Sequence, residues 1–262
     1  LSKSACSSGT TSGGNPIGTP LQPATRSQDS SVEIEGDDDD VTVDLSLLYK
    51  FNQDTRVGVS YRQGGDFTLD GTADFDRSSA CQGNVGCNGV LTTLDGDIEA
   101  SVEIPDVLTV SATHAVNDRL SIHGDVAYTE WSSIGTIGIE NTENGQPVSE
   151  LELDYDDTVR VAAGATYRTG GPWTWRGGVA LDEAPQTDPT LQTPRVPDED
   201  RTWLSFGFNY AVSDQASIDF GYSHIFVEDI DINNTDSNSG NTLTGEFDAS
   251  VDILALQGTW RF

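Results

Sequence analysis

The stretch Ile253-Leu254-Ala255-Leu256-Gln257-Gly258-Thr259-Trp260-Arg261-Phe262 alternates at every second residue and stops on an aromatic. Leu254, Leu256, Gly258, Trp260 and Phe262 fall on one face. Ile253, Ala255, Gln257, Thr259 and Arg261 fall on the other. Period two with unlike faces marks a strand whose two sides meet different surroundings.

The same alternation recurs upstream. Val41–Phe51 turns through Asn52-Gln53-Asp54 into Thr55–Phe67, and a long polar segment then leads to Asp97–Val116. Asn117-Asp118 turns into Arg119–Glu140, and the loop Asn141–Glu150 precedes Leu151–Arg168. Thr169-Gly170-Gly171-Pro172 turns into Trp173–Asp182, and the Pro-rich Glu183–Asp200 precedes Arg201–Val212. Ser213-Asp214-Gln215 turns into Ala216–Asn233, and Asn234–Asn241 precedes Thr242–Phe262. Connections therefore alternate between hairpin turns and long acidic loops, the parity of an outer-membrane barrel with periplasmic turns and extracellular loops. A C-terminal strand ending on Phe is shared by many bacterial outer-membrane barrels.

One face of these strands carries Leu45, Leu47, Tyr49, Val57, Val59, Tyr61, Ile122, Val126, Tyr128, Val161, Tyr167, Leu204, Phe206, Phe208, Tyr210, Phe220 and Tyr222. The other carries Asp44, Ser46, Lys50, Ser60, Arg62, His123, Asp125, Arg160, Arg168, Arg176, Asp182, Arg201 and Asp219. Aromatics gather near strand ends on the apolar face, the girdle position of a membrane barrel. The fold class is all-β, an antiparallel transmembrane β-barrel. Residues 41–262 form its strands and loops. Residues 1–40, rich in Ser, Gly, Thr and Asp, read as an extracellular loop or disordered acidic segment. Nine strands are counted, whereas single-chain bacterial barrels have even numbers. The chain is thus expected to be the C-terminal part of a longer barrel.

Composition narrows the function. With 43 acidic and 13 basic side chains the net charge is −30, so nucleic acid is not an expected partner. The acid runs Glu33–Asp40 and Asp66–Asp76 lack the twelve-residue calcium-loop spacing and read as solvated loops. Neither metal nor cofactor is expected, and no phosphate loop suggests coupling to ATP. Cys81 and Cys87 enclose the short polar segment Gln82–Gly86 and read as a local disulfide, with Cys6 left over. Ser121, His123 and Asp125 share one strand face, but such neighbours stand about 7 Å apart and cannot form a relay. They read as polar lumen residues, and the chain is not expected to be an enzyme.

Three ordered stretches carry a family resemblance. Trp173–Pro185 resembles the W-x-x-R-x-G-x-A-x-D-x-x-P element of FadL-type outer-membrane transporters. Thr193–Gly207 resembles their R-x-P-D-x-D-R-x-W-L-S-x-G element. Asp125 with Thr129-Glu130-Trp131-Ser132 is similar to their D-x-x-x-T-x-W-S strand, and Asp157–Gly164 also fits. The resemblance covers about residues 41–262. It implies a 14-stranded barrel, closed by an N-terminal hatch, in the outer membrane of a Gram-negative bacterium. It implies passive uptake of long-chain fatty acids or other hydrophobic small molecules, held in an apolar lumen pocket and released laterally. A general porin and an aromatic-hydrocarbon channel are the alternatives. Outer-membrane lipids are the expected surroundings and a monomer the expected state.

The inward charges supply site candidates. Arg160, Arg201 and Arg176 are expected to meet a fatty carboxylate, because guanidinium–carboxylate bonds are charge-assisted. Equally, the inward arginines and aspartates could simply pair with one another and brace the wall. Pro197, Asp198, Asp200 and Trp203 are expected to fix the loop over Arg201.

Overall fold

The computed structural model describes residues 2–5, 30–194, 196–235 and 242–261. Cys6, Arg195, Phe262 and most of the leading 1–40 segment lie outside them. In chain order the elements are β1 (Ser2–Ala5), β2 (Ser30–Asp37), β3 (Asp44–Lys50), β4 (Thr55–Arg62), β5 (Gly65–Asp76), α1 (Ser79–Gln82), α2 (Val85–Leu94), β6 (Gly96–Ile104) and β7 (Val107–Ala115). They continue as β8 (Leu120–Thr129), β9 (Thr136–Asn141), β10 (Pro147–Glu152), β11 (Thr158–Arg168), β12 (Trp173–Asp182), β13 (Arg201–Ala211), β14 (Ala216–Val227), β15 (Ile230–Thr235), β16 (Thr242–Phe247) and β17 (Ser250–Trp260). These divide into two units.

The larger unit holds an antiparallel sheet of nine strands in the order β3-β4-β7-β8-β11-β12-β13-β14-β17. These are the nine expected strands. Four tight turns join them pairwise at one rim, and their shared chemistry explains their shortness. Asn52 Oδ1 accepts from the amides of Asp54 and Thr55 at 2.9 and 2.8 Å. Asn117 Oδ1 accepts from Arg119 and Leu120, both at 2.9 Å. Ser213 Oγ accepts from Gln215 and Ala216 at 3.3 and 3.1 Å. In the fourth turn Thr169 Oγ1 accepts from Gly171 at 3.2 Å, and Gly170 takes φ +82°, open to glycine without strain.

Six strands, β4, β7, β8, β11, β14 and β17, are shorter than their alternation predicts, because each stops near the long-loop rim. Pro105 ends β6 before β7 begins and supplies no ladder donor. At Gly64, between β4 and β5, a Cβ would stand 1.8 Å from the Ile104 carbonyl oxygen, so only glycine fits that junction. The pieces beyond the breaks are separate elements: β5, β6, β9 and β10, and the hairpin of β15 with β16.

The faces are those expected. Leu45, Tyr61, Leu108 and Tyr128 stand in register across four strands of the apolar face. Nothing among the described residues covers it, and Leu254 and Leu256 are 71% and 73% exposed. Near the short-turn rim this face carries an aromatic cluster, in which Trp173 lies 5.3 Å from Trp175 and 4.5 Å from Tyr210. Phe208 continues it, 5.3 Å from Phe220. Towards the long-loop rim, Tyr61, Tyr128 and Tyr222 each donate a hydroxyl to an aspartate: Asp106, Asp157 and, at 2.7 Å, Asp252. Rings in the apolar layer with polar tips at its edge suit a membrane interface.

In the smaller unit the described parts of residues 1–40 and the acid runs include strands where loop was expected. Ser2–Ala5 and Ser30–Asp37 are strands in a six-stranded sheet ordered β1-β2-β5-β6-β9-β10, and Gly65–Asp76 is another. The physical reason is a second core. Val32, Ala73, Phe75 and Ile98 are buried together, with Leu91 and Leu94 of α2 packed on them. Short runs of alternating apolar residues inside acidic sequence are enough to cover one face. The opposite face sets like charges against each other, with Glu33 across from Asp74, Asp37 from Asp70 and Glu99 from Glu140.

Cys81 and Cys87 form the expected disulfide, with Cα atoms 5.3 Å apart, and it clips α1 to α2. So short a loop contributes about 2 kcal/mol on chain-entropy grounds. Replacing both cysteines by serine is expected to speed limited proteolysis within residues 77–95 severalfold and to leave the nine-stranded wall unmoved. Mass spectrometry of the cleavage sites checks this, and unchanged cleavage would contradict it.

Candidate functional site

Strand parity places the charged residues. Arg160, Asp182 and Arg201 are consecutive in register across β11, β12 and β13 on the polar face. They form one row beside the long-loop rim. Arg176 lies three inward-facing positions further down β12, so the structure unites Arg160 with Arg201 and separates Arg176 from both.

Each of these arginines has a carboxylate neighbour. Arg201 stands 3.4 Å from Asp182 and 3.4 Å from Asp198, and all three side chains are less than one-third exposed. Arg160 reaches Asp125 through Nη1 at 3.1 Å, and its guanidinium sits 5.8 Å from the centroid of the Trp203 ring. Arg176 pairs with Asp219 at 3.2 Å, and Asn209 also donates to Asp219 at 2.8 Å. The bracing that the sequence left open is therefore present. Arg201 is doubly neutralised, whereas Arg160 has one carboxylate and one aromatic face among the described residues.

Beside Arg160 the polar face turns apolar. Ala162 and Ala180 are direct partners, as are Gly164 and Gly178. These small residues and Trp203 floor a groove of about 210 Å³, which His123, Asp125, Arg160 and Ser205 also line. Ala180 and Ile225 are 4% and 5% exposed. Trp203 lies in β13, on the same face as Arg201 and Ser205, and its indole Nε1 is buried without a hydrogen-bond partner among the described residues.

The loop over the row has its own architecture. Gln192, 2% exposed, donates through Nε2 to the carbonyls of Gln186 and Asp198 at 2.6 and 2.5 Å. Gln186 donates to the carbonyls of Leu153 and Asp154 at 3.2 and 2.7 Å. Asp200 accepts from the Ala184 amide at 2.8 Å, closing the base of the loop. Asp198 follows Pro197 in the turn that brings its carboxylate to Arg201. Burial holds the Asp198 carboxyl above its ordinary value, and the nearby Arg201 charge partly offsets this. Neither glutamine stood out in the sequence, because an irregular loop has no periodicity to read.

His123 occupies the polar face as expected. Its ring lies between Thr113 Oγ1 at 3.1 Å and Thr166 Oγ1 at 2.9 Å. No contact joins it to Ser121 or Asp125 among the described residues.

A meander of antiparallel strands with an aromatic-edged apolar face and a charged inner face defines an outer-membrane β-barrel chain. Residues 6–262 match the model of the outer membrane protein transport family (OMPP1/FadL/TodX), and the chain belongs to that family. The long-chain fatty acid transport protein of Escherichia coli O6:H1 is 30% identical over 73% of this chain and 43% of its own length. A solved Pseudomonas aeruginosa FadL homologue superposes with a TM-score of 0.80 at 24% identity, over 93% of this chain and 57% of that one. The solved CymD monoaromatic hydrocarbon channel gives a TM-score of 0.55 at 19% identity, over 89% of this chain and 56% of that one. The chain spans 36–53% of the length of the curated relatives it matches.

Proposed function

We propose that this chain forms wall strands of an outer-membrane transporter for long-chain fatty acids. Substrate binds in the lumen and leaves laterally, driven by its gradient. The observation that carries the reading is Arg160, a partly exposed guanidinium (37%) at the edge of a groove lined by small residues and Trp203. An acyl chain fits along the Ala–Gly and Trp203 floor of the groove, and a carboxylate fits the guanidinium of Arg160. Arg201 is assigned to holding the loop. The fatty-acid transport protein among the relatives supports the same substrate class.

A second reading has its own support. Every arginine of the row is matched by aspartate, which suits an uncharged compound, and the CymD structure is of a monoaromatic hydrocarbon channel. Labelled oleate binding by the protein purified from outer membranes separates the two. Arg160→Gln is expected to weaken oleate about tenfold, which is about 1.4 kcal/mol, and to leave toluene competition unchanged. Strong toluene binding with no saturable oleate binding would favour the hydrocarbon channel.

A further inference from the structure

We propose a second anion station on the polar face, at the short-turn rim, built by Lys50, Arg56 and Arg168 and suited to a carboxylate head group. It rests on the fatty-acid reading for the identity of its ligand, but not for its existence.

The chain has 13 basic side chains against 43 acidic ones, so a cluster of three cations stands out against its overall charge. In the loop half of the wall, Arg62, Arg160 and Arg201 each stand within 3.4 Å of an aspartate. At the short-turn rim the pattern reverses. Lys50 and Arg56 are direct cross-strand partners, a like-charge pair that weakens a sheet unless something answers it. Neither has a carboxylate within ion-pair distance among the described residues. Arg168 projects from the same face and donates a 3.2 Å bond through Nη1 to Ser121 Oγ. Ser121 is 5% exposed, so that bond orients the guanidinium while leaving its other donors free.

All three cations line one hollow of about 670 Å³ with Thr113, Ser121 and one carboxylate, Asp54. Three cations against one acid leave the hollow a net positive lining, whereas the groove above it is floored by alanine and glycine. A cationic hollow takes a head group, and the Ala–Gly floor takes a tail. From Ala162 to Arg168 the strand rises about 20 Å, comparable to an extended long acyl chain. The geometry thus gives a carboxylate two stops along one wall, Arg160 first and the rim cluster second.

Arginine footprinting tests the station directly. The protein, in a non-ionic detergent, is modified with phenylglyoxal in the presence of octanoate or octanol, and adducts are mapped by mass spectrometry. Octanoate is expected to protect Arg56 and Arg168 at least threefold, and octanol to protect neither. The protection should persist in Arg160→Gln and fall in Lys50→Gln. Equal modification with and without octanoate overturns the station, even if oleate binds and Arg160 matters. Protection of Arg56 and Arg168 without saturable oleate binding keeps the station and removes the fatty-acid reading. Equal protection by sodium chloride at matched ionic strength would mean screening alone and would also overturn it.

Discussion

Asp182→Ala is expected to undo the long-loop rim of the wall. Asp182 sits between Arg160 and Arg201 in the register row and is 16% exposed, less than any other ion-pair partner of the wall. Its removal leaves the largely buried Arg201 with Asp198 alone. Stranding part of a buried charge costs about 3 kcal/mol. The loop over residues 183–200 should open, because Asp198 is held both by Arg201 and by Gln192. The unfolding midpoint in urea, measured after refolding into vesicles, should fall clearly, and protease should cut between residues 183 and 200. Asp44→Ala is the control. Its pair with Arg62 is 69% and 45% exposed, so water already screens it and the midpoint should stay put. Equal behaviour of the two variants would show that burial does not set the worth of these pairs.

Ala162→Phe has the larger consequence for uptake. The added ring would point into the 210 Å³ groove beside Ala180 and Trp203. Overpacking costs about 1–3 kcal/mol, which a wall of nine paired strands can absorb. Ligand cannot share the space, so labelled oleate binding should fall at least tenfold while the folded fraction stays high. Val161→Phe, one residue before Ala162 and on the apolar face, should leave binding intact. Loss of binding in Val161→Phe alone would place the path on the wrong side of the sheet.

The wall was legible because period two states which side each residue faces, and turn chemistry states where strands reverse. Asn52, Asn117, Thr169 and Ser213 each carry a turn that a short polar side chain can close. What was not legible lies where alternation meets a second core. Ser30–Asp37 reads as solvated acid because Glu33, Glu35 and Asp37 dominate it, although Val32 and Ile34 face inwards. Pairing of Arg160 with Asp125 was foreseeable as a class of contact. That Arg201 takes two carboxylates and Arg160 an aromatic face depends on the loop, and the loop depends on Gln186 and Gln192. Their bonds are set by tertiary packing, which no local pattern encodes.

The opposed acids Glu33–Asp74, Asp37–Asp70 and Glu99–Glu140 give the smaller sheet a different response to brine from that of the wall. The Debye length shrinks from about 10 Å at 0.1 M to about 3 Å at 1 M. Ions at that density quench the repulsion across the acidic sheet and tighten it, while the exposed Arg–Asp pairs of the wall, already screened by water, gain nothing from them. One chain thus carries two halves, of which only the acidic one firms as the water turns from fresh to saline.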